Sequence, residues 1–209
     1  MTFMTSVFLF YDERFDDVAS ITLPWWRRYC YRHNYDLTIH RGGYAHRIRN
    51  ISFQKTEMAG AILPGTDLLL VADLDTLVTD QTRHLEEFID PQHSLFGCED
   101  INGFNAGVYM VRNCPEGRDL MEFAVAYGKC APDGHGDQNA IRKWIDFNPH
   151  EYQRVPHPAF NSYLYQEYGE QRTREDGQWE RGDFILHLPG MTNERRIKLM
   201  EERLHHIIE

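Results

Sequence analysis

Asp67-Leu-Leu-Leu-Val-Ala-Asp73-Leu-Asp75 is an apolar run of strand length that ends in two carboxylates separated by one residue. A strand that stops at Ala72 leaves Asp73 and Asp75 just past its carboxyl end, where open α/β sheets place their ligands. If the extended conformation continues through Leu74, both carboxylates project to one side, because side-chain direction repeats every two residues. Two carboxylates on one rim suit a hard divalent cation, which prefers oxygen ligands and keeps positions open for a partner such as phosphate. A solvated turn after a buried strand has the same spacing, and at this point both readings stand.

The flanking sequence sets this strand in a repeating pattern. Ser6 to Phe10 reads as a short buried strand closed by the turn Tyr11-Asp-Glu-Arg14. Val18, Ile21, Trp25 and Tyr29 then recur at helical spacing behind Asp16 and Asp17, with Pro24 as a possible kink. Tyr35 to His40 alternates like a strand, Gly42-Gly43 breaks the chain, and Ser52 to Leu63 reads as a helix capped by Ser52 and stopped by Pro64-Gly65. This β-α-β-α-β order predicts one α/β domain with a mostly parallel central sheet flanked by helices. Farther on, the pattern predicts a short helix at 84–89, strands at 94–98 and 106–111, and helices at 118–127 and 138–145. A surface loop is expected at 166–181, a strand at 184–187 before Leu188-Pro-Gly190, and an amphipathic helix from Asn193 to Ile208.

Composition narrows the function. The chain has 209 residues, enough for one core. Its formal charge of −10 disfavours a nucleic-acid surface, which needs clustered Lys and Arg to displace counterions. Arg41, His46, Arg47 and Arg49 form one local basic stretch suited to a diphosphate or a polyanion. Cys30, Cys98, Cys114 and Cys130 show no C-x-x-C pairing and read as small buried residues in a reducing compartment. The N-terminus has no basic segment before its short apolar stretch, so neither a signal peptide nor a membrane span is expected.

Several blocks in order resemble the GT-A-fold glycosyltransferases, most closely the galactosyl- and xylosyltransferase group of glycosyltransferase family 34. They are Arg32-His-Asn-Tyr-Asp-Leu37, Phe53-Gln-Lys55, Leu69-Leu-Val-Ala-Asp73-Leu-Asp75, Phe104-Asn-Ala-Gly-Val108 with Arg112, Gly136-Asp-Gln138, and Leu186-His-Leu-Pro-Gly190. The resemblance implies a single GT-A-type (Rossmann-like) domain with a nucleotide-binding part at about 1–80, a sugar and acceptor part at about 81–190, and a terminal helix at about 192–208. It also implies transfer of a hexose or pentose from a UDP-sugar to a hydroxyl acceptor, a glycan or small molecule, with retention of configuration. Asp73, Asp75 and His187 would hold Mn2+ (or Mg2+) against the diphosphate. Asn105, Ala106 and Gly107 would meet the donor sugar, Lys55 and Arg49 the nucleotide, and Gly190 would allow close backbone approach. Asp137 and Gln138 would form the polar pair at the reaction centre, and Trp179 is a candidate platform for an acceptor sugar, with a core-covering role as its alternative. Leu74 departs from the smaller or polar residue usual between the two acids. A soluble, cytoplasmic protein of bacterial or viral origin is expected rather than a Golgi one.

Two competing functions use the same residues. Val71-Ala-Asp-Leu-Asp-Thr-Leu-Val78 also resembles the first motif of haloacid-dehalogenase-type phosphatases, in which the first aspartate is a nucleophile. That motif normally opens its domain and carries Gly before the Thr, and neither holds here. A non-catalytic nucleotide-sugar-binding protein is the third possibility, opposed by retention of both acids, His187 and the Asp137-Gln138 pair.

Overall fold

The computed structural model describes residues 3–42, 51–100, 102–130, 136–170 and 177–209. The expected βαβαβ opening is present as β1 (Thr5–Asp12), α1 (Asp16–His33), β2 (Asp36–Gly42), α2 (Ser52–Ile62) and β3 (Leu68–Asp73). Next come β4 (Thr76–Val78), β5 (Leu95–Asp100), β6 (Gly103–Arg112), α3 (Pro115–Cys130), α4 (Gly136–Phe147), β7 (Tyr152–Arg154), α5 (His157–Phe160), β8 (Ile185–His187) and α6 (Asn193–Glu201). Among the described residues one sheet has six strands in the order β2-β1-β3-β6-β5-β7, and β4 pairs with β8 in a separate ribbon. Only β6 runs against the others, being antiparallel to both β3 and β5. The sheet is therefore mixed but mostly parallel, as the sequence pattern predicts.

The near-continuous apolar strands follow from burial on both faces. Val7, Leu9, Leu68, Leu70, Ala72, Val108 and Met110 face Trp26 and Tyr29 of α1 and Phe160 of α5. The alternate residues Phe8, Phe10, Leu69, Val71, Tyr109 and Val111 face Ala59 of α2, Leu120 and Met121 of α3, and Ile141 and Trp144 of α4. Trp144 is fully enclosed and its Nε1 donates to Asp119 at 2.8 Å, so truncation to Ala would cost about 3–5 kcal/mol. A third cluster joins Leu77 of β4 and Leu186 of β8 to Leu199 and Met200 of α6.

Several local expectations are corrected. Helix α1 runs through Pro24 unbroken. The Ser52 hydroxyl does not cap its own helix; it accepts from the Asp137 N–H at 3.0 Å. Helix α6 ends at Glu201, and the remaining chain makes a 3-10 turn before Ile208 bridges Asp80. Trp179 is buried in the third cluster, with Nε1 3.4 Å from the Thr79 hydroxyl, so it covers core and is no exposed sugar platform. All four cysteines are free, but only Cys30 and Cys98 are buried, which pushes each thiol up to about 12; Cys130 is exposed.

Candidate active site

The parallel register places the ends of β1 and β3 side by side, with Phe10 opposite Asp73. Because β6 is antiparallel, Asn105, Ala106 and Gly107 near its start reach the same edge. These residues therefore all lie within the strand, which begins at Gly103 and not at Ala106 as the pattern predicts. The β4–β8 ribbon sets Thr76 opposite His187 and so brings the late histidine next to Asp75. Together with the start of α4, these ends enclose a cleft of about 270 Å³. Its lining includes Lys55, Asp73, Asp75, Asn105, Ala106, Gly107, Asp137, Gln138 and His187. Gly190 is exposed just outside it with φ +70°, while Pro189 lines the cleft. Arg49, like His46 and Arg47, lies outside the described residues; Arg41 is tied to Asp16 at 2.6 Å.

The acidic pair does not stay extended. Strand β3 ends at Asp73, Leu74 and Asp75 form a turn, and the Thr76 hydroxyl donates to the Asp73 carbonyl at 2.5 Å. Leu74 points into the core, away from the carboxylates. Each acid consequently meets a different cation. Lys55 Nζ donates to Asp73 Oδ1 at 2.9 Å and to the Ala106 carbonyl at 2.8 Å, and lies 3.1 Å from Asp137 Oδ2. Asp75 Oδ2 is 3.2 Å from Arg196 Nη2, and its Oδ1 is 3.4 Å from His187 Nε2.

These contacts set the charges. Burial pushes the Asp73 carboxyl up to about 6; Lys55 opposes that rise, while Asp75 and Asp137 add like-charge repulsion. About a third of the Asp73 side chain, 35%, still faces the cleft. Burial also acts to raise Asp75, but His187 and Arg196 outweigh it and hold this carboxyl below its ordinary value. Lys55 is held well above the usual amine range because Asp137 and Asp73 overcome its own desolvation.

Among the described residues no group of three or more His, Cys, Asp or Glu side chains has metal-holding geometry. Asp75 and His187 nevertheless bring two ligand atoms together, an oxygen and an imidazole nitrogen. Asp75 Oδ1 is buried without a hydrogen-bond partner and faces the imidazole across 3.4 Å, too long for a well-formed hydrogen bond. A Cβ on Gly107 would lie 2.3 Å from His187 Cε1 and 2.8 Å from Nε2, so only glycine leaves this ring its place.

Two expected roles are narrowed by the hydrogen bonds. The Asn105 amide gives both protons to the protein, to Asp100 at 2.8 Å and the Tyr163 hydroxyl at 2.9 Å, and its oxygen accepts from Gly107 N–H. Toward a ligand it retains only acceptor capacity on that oxygen. Gln138 Oε1 accepts from Ala106 N–H at 3.3 Å, leaving its amide protons for the cleft. Asp137 Oδ1 accepts the Gln138 N–H at 3.0 Å, the helix-start role its position suggests. Arg196, Asn161, Tyr163 and Asp100 were not legible as site residues. For Arg196 a signal existed: it precedes Leu199 and Met200 by three and four positions and shares their buried face.

A central mixed sheet with this cleft at its strand ends is the GT-A glycosyltransferase fold. The galactosyl transferase GMA12/MNN10 family matches residues 90–198, more than half of the chain, and the chain belongs to that family of glycosyltransferases. The fold is similar to a glycosyltransferase involved in glycosylation of the major capsid of PBCV-1, with TM-score 0.76, 15% identity, and coverage of 95% of this chain and 99% of that one. It is also similar to the galactosyltransferase LgtC in complex with donor and acceptor sugar analogs, with TM-score 0.60, 14% identity, and coverage of 95% and 96%. Mouse xyloside xylosyltransferase 1 follows with TM-score 0.56, 11% identity, and coverage of 91% and 99%. No curated protein sequence matches the chain. Family membership overturns the phosphatase and non-catalytic alternatives. Among the described residues no helix is long and apolar enough to cross a membrane.

Proposed function

We propose that this glycosyltransferase moves a hexose or pentose from a UDP-sugar to a hydroxyl of a glycan or small-molecule acceptor, with Mn2+ (or Mg2+) bound by Asp73, Asp75 and His187. The observation that carries the metal assignment is the buried, unpartnered Asp75 Oδ1 facing His187 across a gap that Gly107 keeps open. When bound, the metal would offset charge on the departing diphosphate. Lys55 bridges Asp73 and Asp137 and fixes their spacing. Asn105 offers its oxygen to a donor hydroxyl, Gln138 its amide protons, and Asp137 positions Lys55 and the first turn of α4.

The ion pairs favour retention. An inverting enzyme needs a carboxylate ready to take the acceptor proton. The described cleft carboxylates each lie against a basic side chain: Asp12 against Arg14, Asp73 and Asp137 sharing Lys55, and Asp75 against Arg196. A panel of nucleotide sugars assayed for Mn2+-dependent hydrolysis tests the reading without knowledge of the acceptor. UDP-sugars are expected to turn over and lose turnover in EDTA; no turnover with any UDP-sugar counts against it. NMR of the first-formed product decides the stereochemistry, since a β-linked product from an α-linked donor would mean inversion.

A further inference from the structure

Behind the cleft, one buried set of hydrogen bonds joins the late histidine to the asparagine of the β6 edge. His187 Nδ1 lies 2.5 Å from Asn161 Oδ1, Asn161 Nδ2 donates to the Tyr163 hydroxyl at 2.7 Å, and that hydroxyl donates to Asp100 Oδ2 at 3.1 Å. Asn105 closes the set through Asp100 and Tyr163. Asn161, Tyr163, Asn105 and His187 are all at least nine-tenths buried, so water offers no easy alternative partners.

The direction of every bond follows from two fixed ends. At one end the Gly107 N–H can only donate, so Asn105 must present its oxygen there, at 2.8 Å, and its amide protons to Asp100 and Tyr163. At the other end the Asp100 carboxylate only accepts, so the Tyr163 hydroxyl spends its single proton on it. The tyrosine oxygen then has only lone pairs left, which forces Asn161 to turn its amide nitrogen toward it. Asn161 Oδ1 is thereby left facing His187, and an oxygen acceptor requires a proton on Nδ1.

We infer that Asn161 is a positioning residue: anchored through Tyr163 and Asp100, it holds His187 in the Nδ1–H tautomer and aims the Nε2 lone pair at Asp75. The inference rests on the metal reading above for its purpose, since a neutral Nε2 is the form that ligates a cation. It also explains the unpartnered Asp75 Oδ1. Two electron-pair donors face each other there, an arrangement with no use in a purely structural pair. The same network orients Asn105, so one set of bonds presets a metal ligand and a candidate donor-sugar contact.

The test uses the metal-free protein with 15N-labelled histidine, so that long-range 1H–15N correlations report the tautomer directly. The His187 signal is identified by its loss in His187→Gln. At pH 8 the wild-type ring is expected to carry its proton on Nδ1. Asn161→Asp keeps an acceptor and is expected to keep that tautomer, whereas Asn161→Leu is expected to shift the proton to Nε2, where Asp75 accepts it. Tyr163→Phe removes the anchor but keeps the ring, and is expected to give a mixture. Thermal melts show which variants are folded, and Asn161→Asp with Tyr163→Phe carry the test if Asn161→Leu is not. An Nε2–H ring in the wild type, or the same tautomer in Tyr163→Phe and Asn161→Leu as in the wild type, overturns the inference. Mn2+ titration in the presence of UDP is expected to weaken about 10–100-fold in Asn161→Leu and to recover in Asn161→Asp. Wild-type Mn2+ affinity in His187→Gln would instead overturn the metal reading, whatever the tautomer.

Discussion

Replacing Lys55 with Met removes one charge from the centre of the site while keeping the side chain's length. Lys55 is 2% exposed and its ammonium has three partners: Asp73 Oδ1 at 2.9 Å, the Ala106 carbonyl at 2.8 Å and Asp137 Oδ2 at 3.1 Å. Breaking a buried pair by removing one partner costs about 3–5 kcal/mol, because the other charge is left uncompensated. Asp73 retains 35% of its side-chain surface, so water screens it and its share is small. Asp137 is 5% exposed and sets the size of the effect, which places Lys55→Met near the lower end, at about 3 kcal/mol. For a chain of this length that corresponds to a Tm lowered by roughly 6–12 °C. Burial already raises the Asp73 carboxyl to about 6 and Lys55 opposes that rise, so without Lys55 the folded variant binds more protons than its unfolded chain and the loss is greater at pH 8 than at pH 5. The companion variant Lys55→Met/Asp137→Asn removes the orphan and is expected to lose only about 1 kcal/mol. Urea denaturation followed by tryptophan fluorescence measures all three proteins. A single variant that loses less than about 1 kcal/mol, or a double variant no more stable than the single, refutes the reasoning.

Asp75→Asn is expected to abolish turnover and to lower stability by about 1–3 kcal/mol, because Arg196 loses its charge partner but keeps the Leu188 carbonyl at 2.9 Å and Asn193 Oδ1 at 2.8 Å. Parallel melts and turnover assays check this, and an active Asp75→Asn enzyme removes the residue from the metal set. Gly107→Ala forces a methyl group to within 2.3 Å of the His187 ring, so the ring must move; Mn2+ affinity should fall at least about 10-fold and stability by about 1–3 kcal/mol. Wild-type Mn2+ binding in that variant would show that the ring position does not matter.

The first half of the fold was legible because strands β1 and β3 carry long apolar runs, helix α1 keeps a helical period, and α2 is bounded by Ser52 and Pro64-Gly65. The short strands β4 and β7, three residues each, carry no pattern long enough to recognise. The acidic pair was legible as a site, but its geometry was not: the chain turns at Leu74 because that side chain is drawn into the core. Ser52 looked like a helix cap since its type and place allow it, and only tertiary contact hands its hydroxyl to Asp137. Trp179 stood among charged residues, yet the loop that carries it folds onto α6 and buries it. Asn161 lies 26 positions from His187 and carries no local signal, because an asparagine that orients a ring has the same sequence appearance as one in a turn.

The central claim is that the nucleotide is held through a divalent cation at Asp73, Asp75 and His187. Calorimetric titration of UDP into the protein, with Mn2+ and again with EDTA, tests it most directly. Binding in Mn2+ that disappears in EDTA is the predicted result, whereas equally tight binding of UDP in both would contradict the account.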